Sequence, residues 1–278
     1  MKLARRAGEA ALAFYGKPLR VEHKEEFDEP VTQADRAVNE LIVAGLRREF
    51  PRDGVLAEES VDTKRRLARE RVWMVDPLDG TKGFIAGSGD FAVQIGLAVG
   101  GSPVLGVVYA PATDVLYWAA RGGGAWVRRS VPTADAGGAR TTERLKVSDA
   151  SELARMRLAA SRSHRSPRMD RVVRALGISE EVQRHSVGIK VGLIVERQCD
   201  LYLHLSPGTK QWDTCAPEVV LTEAGGRVTD LWGVALRYNT PDIYNRNGLV
   251  ASNGVAHDAV VELLRPLLAE FGRERVEG

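Results

Sequence analysis

The chain has 278 residues, 44% of them hydrophobic and 27% charged, and 39 Lys+Arg against 37 Asp+Glu leave a formal net charge of +2. Such a chain can bury a core without disulfides or a structural metal, as one large domain or as two modest lobes. The near-neutral balance gives no basis for nucleic-acid binding, and no apolar run reaches the length needed to cross a bilayer.

The N-terminus is basic, but Glu9 interrupts its short apolar stretch and no small-residue cleavage pattern follows, so a soluble, cytoplasmic protein is expected. Residues 3–15 read as an amphipathic helix with Leu3, Ala7, Ala11 and Phe14 on one face. The stretch 18–30 is charged and reads as irregular. Thr32 offers an N-cap with Asp35 in capping-box position, and the apolar series Val38, Leu41, Ile42, Leu46 carries that helix to about Phe50, before Pro51. A short strand at 54–57 leads into Glu58-Glu59-Ser60, and 61–71 reads as a surface loop or short helix. Strands follow at 72–75, 91–99, 103–109 and 115–119, with Gly100-Gly101 as a tight hairpin turn. Residues 128–144, rich in Arg, Thr, Ala and Gly, are expected to form an exposed loop.

Beyond that stretch the pattern alternates. A strand at 156–160, a helix at 168–176, a strand or helix at 187–196 and a strand at 200–205 precede a helix that buries Ala216, Val219, Val220 and Leu221. Strands at 227–230 and 248–251 and a helix at 256–271 complete the chain. The implied class is mixed α/β, with an N-terminal α+β lobe (1–148) and a C-terminal α/β lobe (149–278). Cys199 and Cys215 lack metal or redox spacing and are expected as buried free thiols.

The densest chemical signal is Asp76-Pro77-Leu78-Asp79-Gly80-Thr81, placed directly after an apolar strand. Proline should end that strand cleanly, and two aspartates three residues apart across a turn can converge on one point. Gly80 and Thr81 then offer backbone N–H groups to an anion. Glu58 follows another strand, Asp213 sits in Trp212-Asp213-Thr214 just before a helix, and Asp35 lies in a helix first turn. Taken singly, each of these acids is better explained as a cap or a solvated charge.

Together they carry a resemblance. Val31-Thr32-Gln33-Ala34-Asp35, Glu58-Glu59-Ser60, DPLDGT at 76–81, GVVYAP at 106–111 and WDTCAPE at 212–218 with Ala224-Gly225-Gly226 stand in order along nearly the whole chain. The set resembles the inositol-monophosphatase superfamily of lithium-sensitive, Mg²⁺-dependent phosphatases, whose pattern places a further turn or so of helix before Leu3. The resemblance implies a layered αβαβα sandwich and metal ligation by Glu58, Asp76, Asp79, Asp213 and the Leu78 carbonyl. It implies two or three Mg²⁺ ions, with Mn²⁺ as a substitute, and the all-oxygen donor set independently suits such hard cations. It also implies that Asp35 and Thr81 orient and deprotonate the attacking water.

Within that superfamily the sequence looks most similar to the 3'(2'),5'-bisphosphate nucleotidases, which act on 3'-phosphoadenosine 5'-phosphate. The matching stretches are DPLDGTKGFI at 76–85, Ser161-Arg162-Ser163-His164, Gly188-Ile189-Lys190 and SPGTKQWDTCAPEVVL at 206–221. The substrate-contacting set so implied is Asp79, Gly80, Thr81, Ser161, His164, Gly188, Lys190, Lys210 and Asp213, with Lys190, Ser161 and His164 on a second phosphate. Without the resemblance, a loop start would explain Ser161 and His164, and an exposed helix charge Lys190. His23, His185, His204 and His257 show no ligand spacing and are assigned no role. An inositol- or sugar-phosphate phosphatase with the same metal site is the alternative. A catalytically silent homologue ranks below it, because every expected acidic position is present. A homodimer is suggested by resemblance alone; no nucleic-acid or membrane partner is expected.

Overall fold

Small side chains let the first helix lie close to its neighbours. In this computed structural model, which describes residues 1–24, 29–131, 139–162 and 165–277, α1 (Lys2–Leu12) buries Ala4, Ala7, Gly8 and Ala11. Between it and the next helix, β1 (Val21–His23) and β2 (Pro30–Thr32) pair antiparallel, so the charged stretch read as irregular contains a small hairpin. Helix α2 (Gln33–Glu49) starts at the expected capping box, with Thr32 as N-cap and Asp35 at the third position.

A seven-stranded sheet follows in chain order: β3 (Gly54–Ala57), β4 (Arg71–Asp79), β5 (Ala92–Val99), β6 (Ser102–Ala110), β7 (Val115–Ala120), β8 (Ala125–Val131) and β9 (Ala139–Arg144). Only β3 and β4 run parallel. Gly100 and Gly101 turn the β5–β6 hairpin with φ of 56° and 77°, as expected. Strand β4 does not stop at Asp76. Its register to β5 shifts between Asp76 and Asp79, so Pro77 sits in a bulge and both aspartates belong to one strand.

The expected exposed loop at 128–144 is corrected at both ends. Arg128 and Arg129 of β8 stand opposite Thr142 and Thr141 of β9, and residues 132–138 lie outside the described residues. Here, where β8 meets the edge strand β9, the cross-strand neighbours are polar, so this stretch carries no apolar alternation to read.

The second half of the chain contributes β10 (Arg157–Ser161), β11 (Glu180–Arg184), β12 (Leu201–His204), β13 (Arg227–Thr229) and β14 (Leu249–Ser252), ordered β11-β10-β12-β14-β13 in a second sheet. The polar strand β11, sequence EEVQR, is an edge strand and was not expected. The helices are α3 (Thr81–Ile85), α4 (Pro167–Leu176), α5 (Val187–Val195), α6 (Gln211–Glu223) and α7 (His257–Glu270). The ambiguous stretch at 187–196 is helical: α5 is buried nearly all round and apolar except for Lys190, because it lies between the two sheets, which removes the amphipathic stripe.

Five layers result. Helices α1 and α2 cover the outer face of the larger sheet. Helices α5 and α6 fill the space between the sheets, where Val108, Tyr117, Val191, Ala216, Val220, Tyr202 and Ala251 share one core. Helices α4 and α7 pack on the outer face of the smaller sheet. The αβαβα sandwich expected from the resemblance is therefore the architecture observed. Cys199 and Cys215 are both buried and unbridged. Among the described residues no helix is long and apolar enough to cross a membrane.

One contact in the middle layer positions the chemistry. Gly96 and Gly106 are cross-strand partners on β5 and β6, and together they form a notch for α6. A Cβ on Gly106 would stand 2.2 Å from the Ala216 carbonyl oxygen, and one on Gly96 2.6 Å from Cys215 Sγ. The backbone of α6 thus touches the sheet three residues beyond Asp213. Gly106→Ala must push that helix away, and overpacking of this kind costs about 1–3 kcal/mol. Thermal denaturation should show the loss; an unchanged Tm would mean that the helix can shift freely.

Candidate active site

A cleft of about 390 Å³ opens at the ends of β3, β4 and β12 and at the N-termini of α3, α5 and α6. It is lined by Glu58, Asp76, Leu78, Asp79, Gly80, Thr81, Lys190, Lys210 and Asp213 of the expected set. Residues from both halves of the sequence meet there.

Asp76 and Asp79 flank the β4 bulge. Asp76 Oδ1 accepts the Leu78 N–H at 2.9 Å, a turn closed by the aspartate itself. Its carboxyl is held well above the usual range by burial first, then by the negative charges of Glu58, Asp79 and Asp213. Asp79 is held differently. Its Oδ2 accepts from Gln94 Nε2 (2.6 Å), Ser186 Oγ and Gly188 N (2.8 Å), and its Oδ1 from Val187 N (3.0 Å). It therefore caps the N-terminus of α5, whose first-turn N–H groups favour a negative charge. Burial raises its pKa; Ser186, Gly188 and Lys190 draw it back.

Asp35 and Asp213 share one device. Each is the third residue of its helix and accepts the N-cap backbone N–H: Thr32 N to Asp35 Oδ2 at 2.8 Å, and Lys210 N to Asp213 Oδ2 at 2.7 Å. Asp213 thus lies inside the first turn of α6 rather than before the helix. Burial pushes its pKa up to about 8; Lys210 opposes this, while Glu58 and Asp79 add to it. Capping and chemistry are not alternatives here, because a carboxylate has a second oxygen to offer. Asp35 uses that oxygen, Oδ1, on the Thr81 hydroxyl at 3.1 Å, and Thr81 Oγ1 is also 3.1 Å from the Leu78 carbonyl. Asp35 stands behind Thr81 rather than on the cleft wall.

Gly80, with φ 92°, makes the turn from β4 into α3, and a Cβ there would meet the Asp90 carbonyl oxygen at 2.6 Å. Only glycine fits both the conformation and the space. Glu58, beyond β3, meets Lys24 Nζ at 2.7 Å; the same ammonium bonds Glu59.

The four carboxylates reach one cleft without converging on one point. Among the described residues no three Asp, Glu, His or Cys side chains stand together as a ready chelate. Asp79 is turned onto α5 and Glu58 onto Lys24, which accounts for the spread. The donor set nevertheless fits a hard divalent cation: four carboxylates and the Leu78 carbonyl are all oxygen. Mutual repulsion among Glu58, Asp76, Asp79 and Asp213 is relieved by a counter-charge.

The remaining expected residues divide. Lys190 is not an exposed helix charge: it is 2% exposed, with Nζ 3.3 Å from the His185 carbonyl and 4.4 Å from the Tyr202 ring centroid, and burial brings its pKa down to about 8. Lys210 Nζ pairs with Glu29 at 2.6 Å on the cleft rim. Gly188 gives its N–H to Asp79 and lies against Val108, outside the cleft wall. Ser161 ends β10 and does not line the cleft either. His164 lies outside the described residues.

Two residues assigned no role do line the cleft. His204 ends β12 and pairs with Ser206 Oγ at 2.7 Å; His185 precedes α5. Their sequence neighbourhoods carry no ligand spacing, and only the closure of the two sheets brings them to the cleft.

The inositol monophosphatase family profile matches residues 1–269. A 3'(2'),5'-bisphosphate nucleotidase CysQ of Salmonella typhimurium is 38% identical over 252 residues, 89% of this chain and 95% of that one. A histidinol-phosphatase of Mycobacterium tuberculosis is 37% identical over 268 residues, 95% of each chain. The crystal structure of CysQ from Bacteroides thetaiotaomicron superposes with a TM-score of 0.74 at 34% identity, covering 90% of this chain and 94% of that one. The profile match over nearly the whole chain, the relatives at 37–38% identity and the shared fold agree: the chain belongs to the inositol monophosphatase family.

Proposed function

We propose that this chain is a Mg²⁺-dependent phosphomonoesterase that removes the 3'-phosphate of 3'-phosphoadenosine 5'-phosphate, giving AMP and phosphate. The observation that carries the reaction class is the Asp35–Thr81 hydroxyl pair set against the carboxylate cleft. Glu58, Asp76, Asp79, Asp213 and the Leu78 carbonyl hold the divalent ions, with Mn²⁺ able to replace Mg²⁺. Those ions supply charge neutralisation and Lewis-acid polarisation of the phosphoryl oxygens.

The protein's own groups do the rest. Thr81 Oγ1, fixed between Asp35 Oδ1 and the Leu78 carbonyl, orients the attacking water, and Asp35 Oδ1 takes up the proton that passes through the Thr81 hydroxyl. Backbone N–H groups at Gly80 and Thr81 hold phosphate oxygens as charge builds on them. Lys190 meets the second phosphate, with Lys82 and Lys210 also on the cleft lining. Ser161 and His164 keep an expected role there by resemblance alone.

A second reading has the same chemistry on another ester. The histidinol-phosphatase relative is almost as similar as the nucleotidase one, but a cationic amine would face Lys82, Lys190 and Lys210. A nucleotide with two phosphate groups suits those charges better. The test is phosphate release from 3'-phosphoadenosine 5'-phosphate, inositol 1-phosphate and histidinol phosphate, with Mg²⁺ and with EDTA. Metal-dependent preference for the nucleotide is expected. Preference for either other ester keeps the site and overturns the substrate.

A further inference from the structure

Lys24 sits where its ammonium answers two carboxylates at once. It follows β1, and its backbone N–H bonds the Glu29 carbonyl at 2.9 Å across the hairpin. Its Nζ lies 2.7 Å from Glu58 Oε1 and also bonds Glu59 Oε1. The three side chains are only 26%, 16% and 9% exposed. Of the two acids, Glu58 lines the cleft and Glu59 does not.

An ammonium and a hard divalent cation are both counter-ions for a carboxylate, and an oxygen committed to one is less available to the other. We propose that Lys24 is a built-in competitor for the divalent cation at Glu58, an internal cation that the metal must displace from that one oxygen while Lys24 keeps its bond to Glu59. The inference rests on the metal-site reading above and adds to it a residue that sets affinity. A purely structural Lys24, serving as the partner of the partly buried Glu59, predicts the contrary: removing it leaves metal binding unchanged or weakens it.

Removing a competitor tightens binding. An ion pair of this exposure is worth up to about 1 kcal/mol, so Lys24→Met should bind Mn²⁺ or Mg²⁺ about fivefold more tightly than the parent chain. Lys24→Arg keeps the charge and should stay within about twofold of the parent. Calorimetric titration of the full metal-stripped chain with Mn²⁺ reads this without recourse to activity. In EDTA, Lys24→Met should melt lower than the parent, since Glu58 and Glu59 lose their counter-charge, and saturating Mn²⁺ should narrow or reverse the gap.

Tighter binding in Lys24→Met with parent-like binding in Lys24→Arg supports the proposal. Equal or weaker binding in Lys24→Met, with the parent binding normally, overturns it and leaves the metal site standing. Absence of binding in every variant overturns both. If Lys24→Met does not fold, Lys24→Gln carries the same comparison.

Discussion

Asp213→Asn should lower kcat/KM on the order of 10³-fold while raising the melting temperature of the metal-free protein. The activity loss follows from removing one charged oxygen donor from a set whose work is charge neutralisation at the phosphoryl group. The stability gain has a separate cause. Asp213 is repelled by Glu58 and Asp79 and pushed up by burial, so its charge is a burden on the fold when no metal offsets it. Asparagine keeps an oxygen for the Lys210 N–H, so the cap of α6 survives. A gain of about 1 kcal/mol is expected, or ~3 °C in Tm for a chain of this size, by thermal melts in EDTA. Near-parental turnover would remove Asp213 from the metal site. A large fall in Tm would mean that the carboxylate is structural first.

The Asp35–Thr81 pair makes the second large prediction. Thr81→Val and Asp35→Asn should each lower kcat roughly 10²- to 10³-fold with little change in KM, because the pair acts on the water and not on substrate binding. The double variant should be no slower than the worse single one. Two groups that pass one proton along one hydrogen bond fail together, and their losses do not multiply. Thr81→Ser keeps the hydroxyl and should retain most of the activity. Multiplicative losses in the double variant would show that Asp35 only caps α2, where Thr32 gives it a sufficient structural reason to exist.

Asp35 and Asp213 illustrate how far sequence reasoning reaches. Both were readable as helix-cap acids from local spacing alone, and the structure shows them capping. What spacing cannot express is the free oxygen. A carboxylate that spends one oxygen on its own helix can aim the other at a group far away in sequence, as Asp35 does at Thr81, 46 residues on. Here the ordered family motifs, not periodicity, pointed to the chemistry.

Local pattern also served the apolar strands and the amphipathic helices, where burial is periodic. It failed at β9 and β11, polar edge strands, and at the arginine-bearing end of β8, where no apolar alternation is left to read. At α5 it left strand and helix undecided, because a segment buried on every side loses the stripe that distinguishes them.

By itself, then, the sequence determined the mixed α/β class, the positions of the four carboxylates and the Asp35–Thr81 candidates, which lie in contiguous motifs or short-range caps; the five-layer order was implied by the resemblance those motifs carry. The tertiary structure alone decided how those groups are held. Asp79 turns onto the N-terminus of α5, 109 residues away from its Gly188 partner; Lys24 reaches Glu58; Lys190 is sealed against Tyr202; and His185 and His204 come to the cleft. Each depends on which sheet faces which helix. Chain-distant side chains meet only after the two sheets close on α5 and α6, and their contacts leave no trace in local spacing.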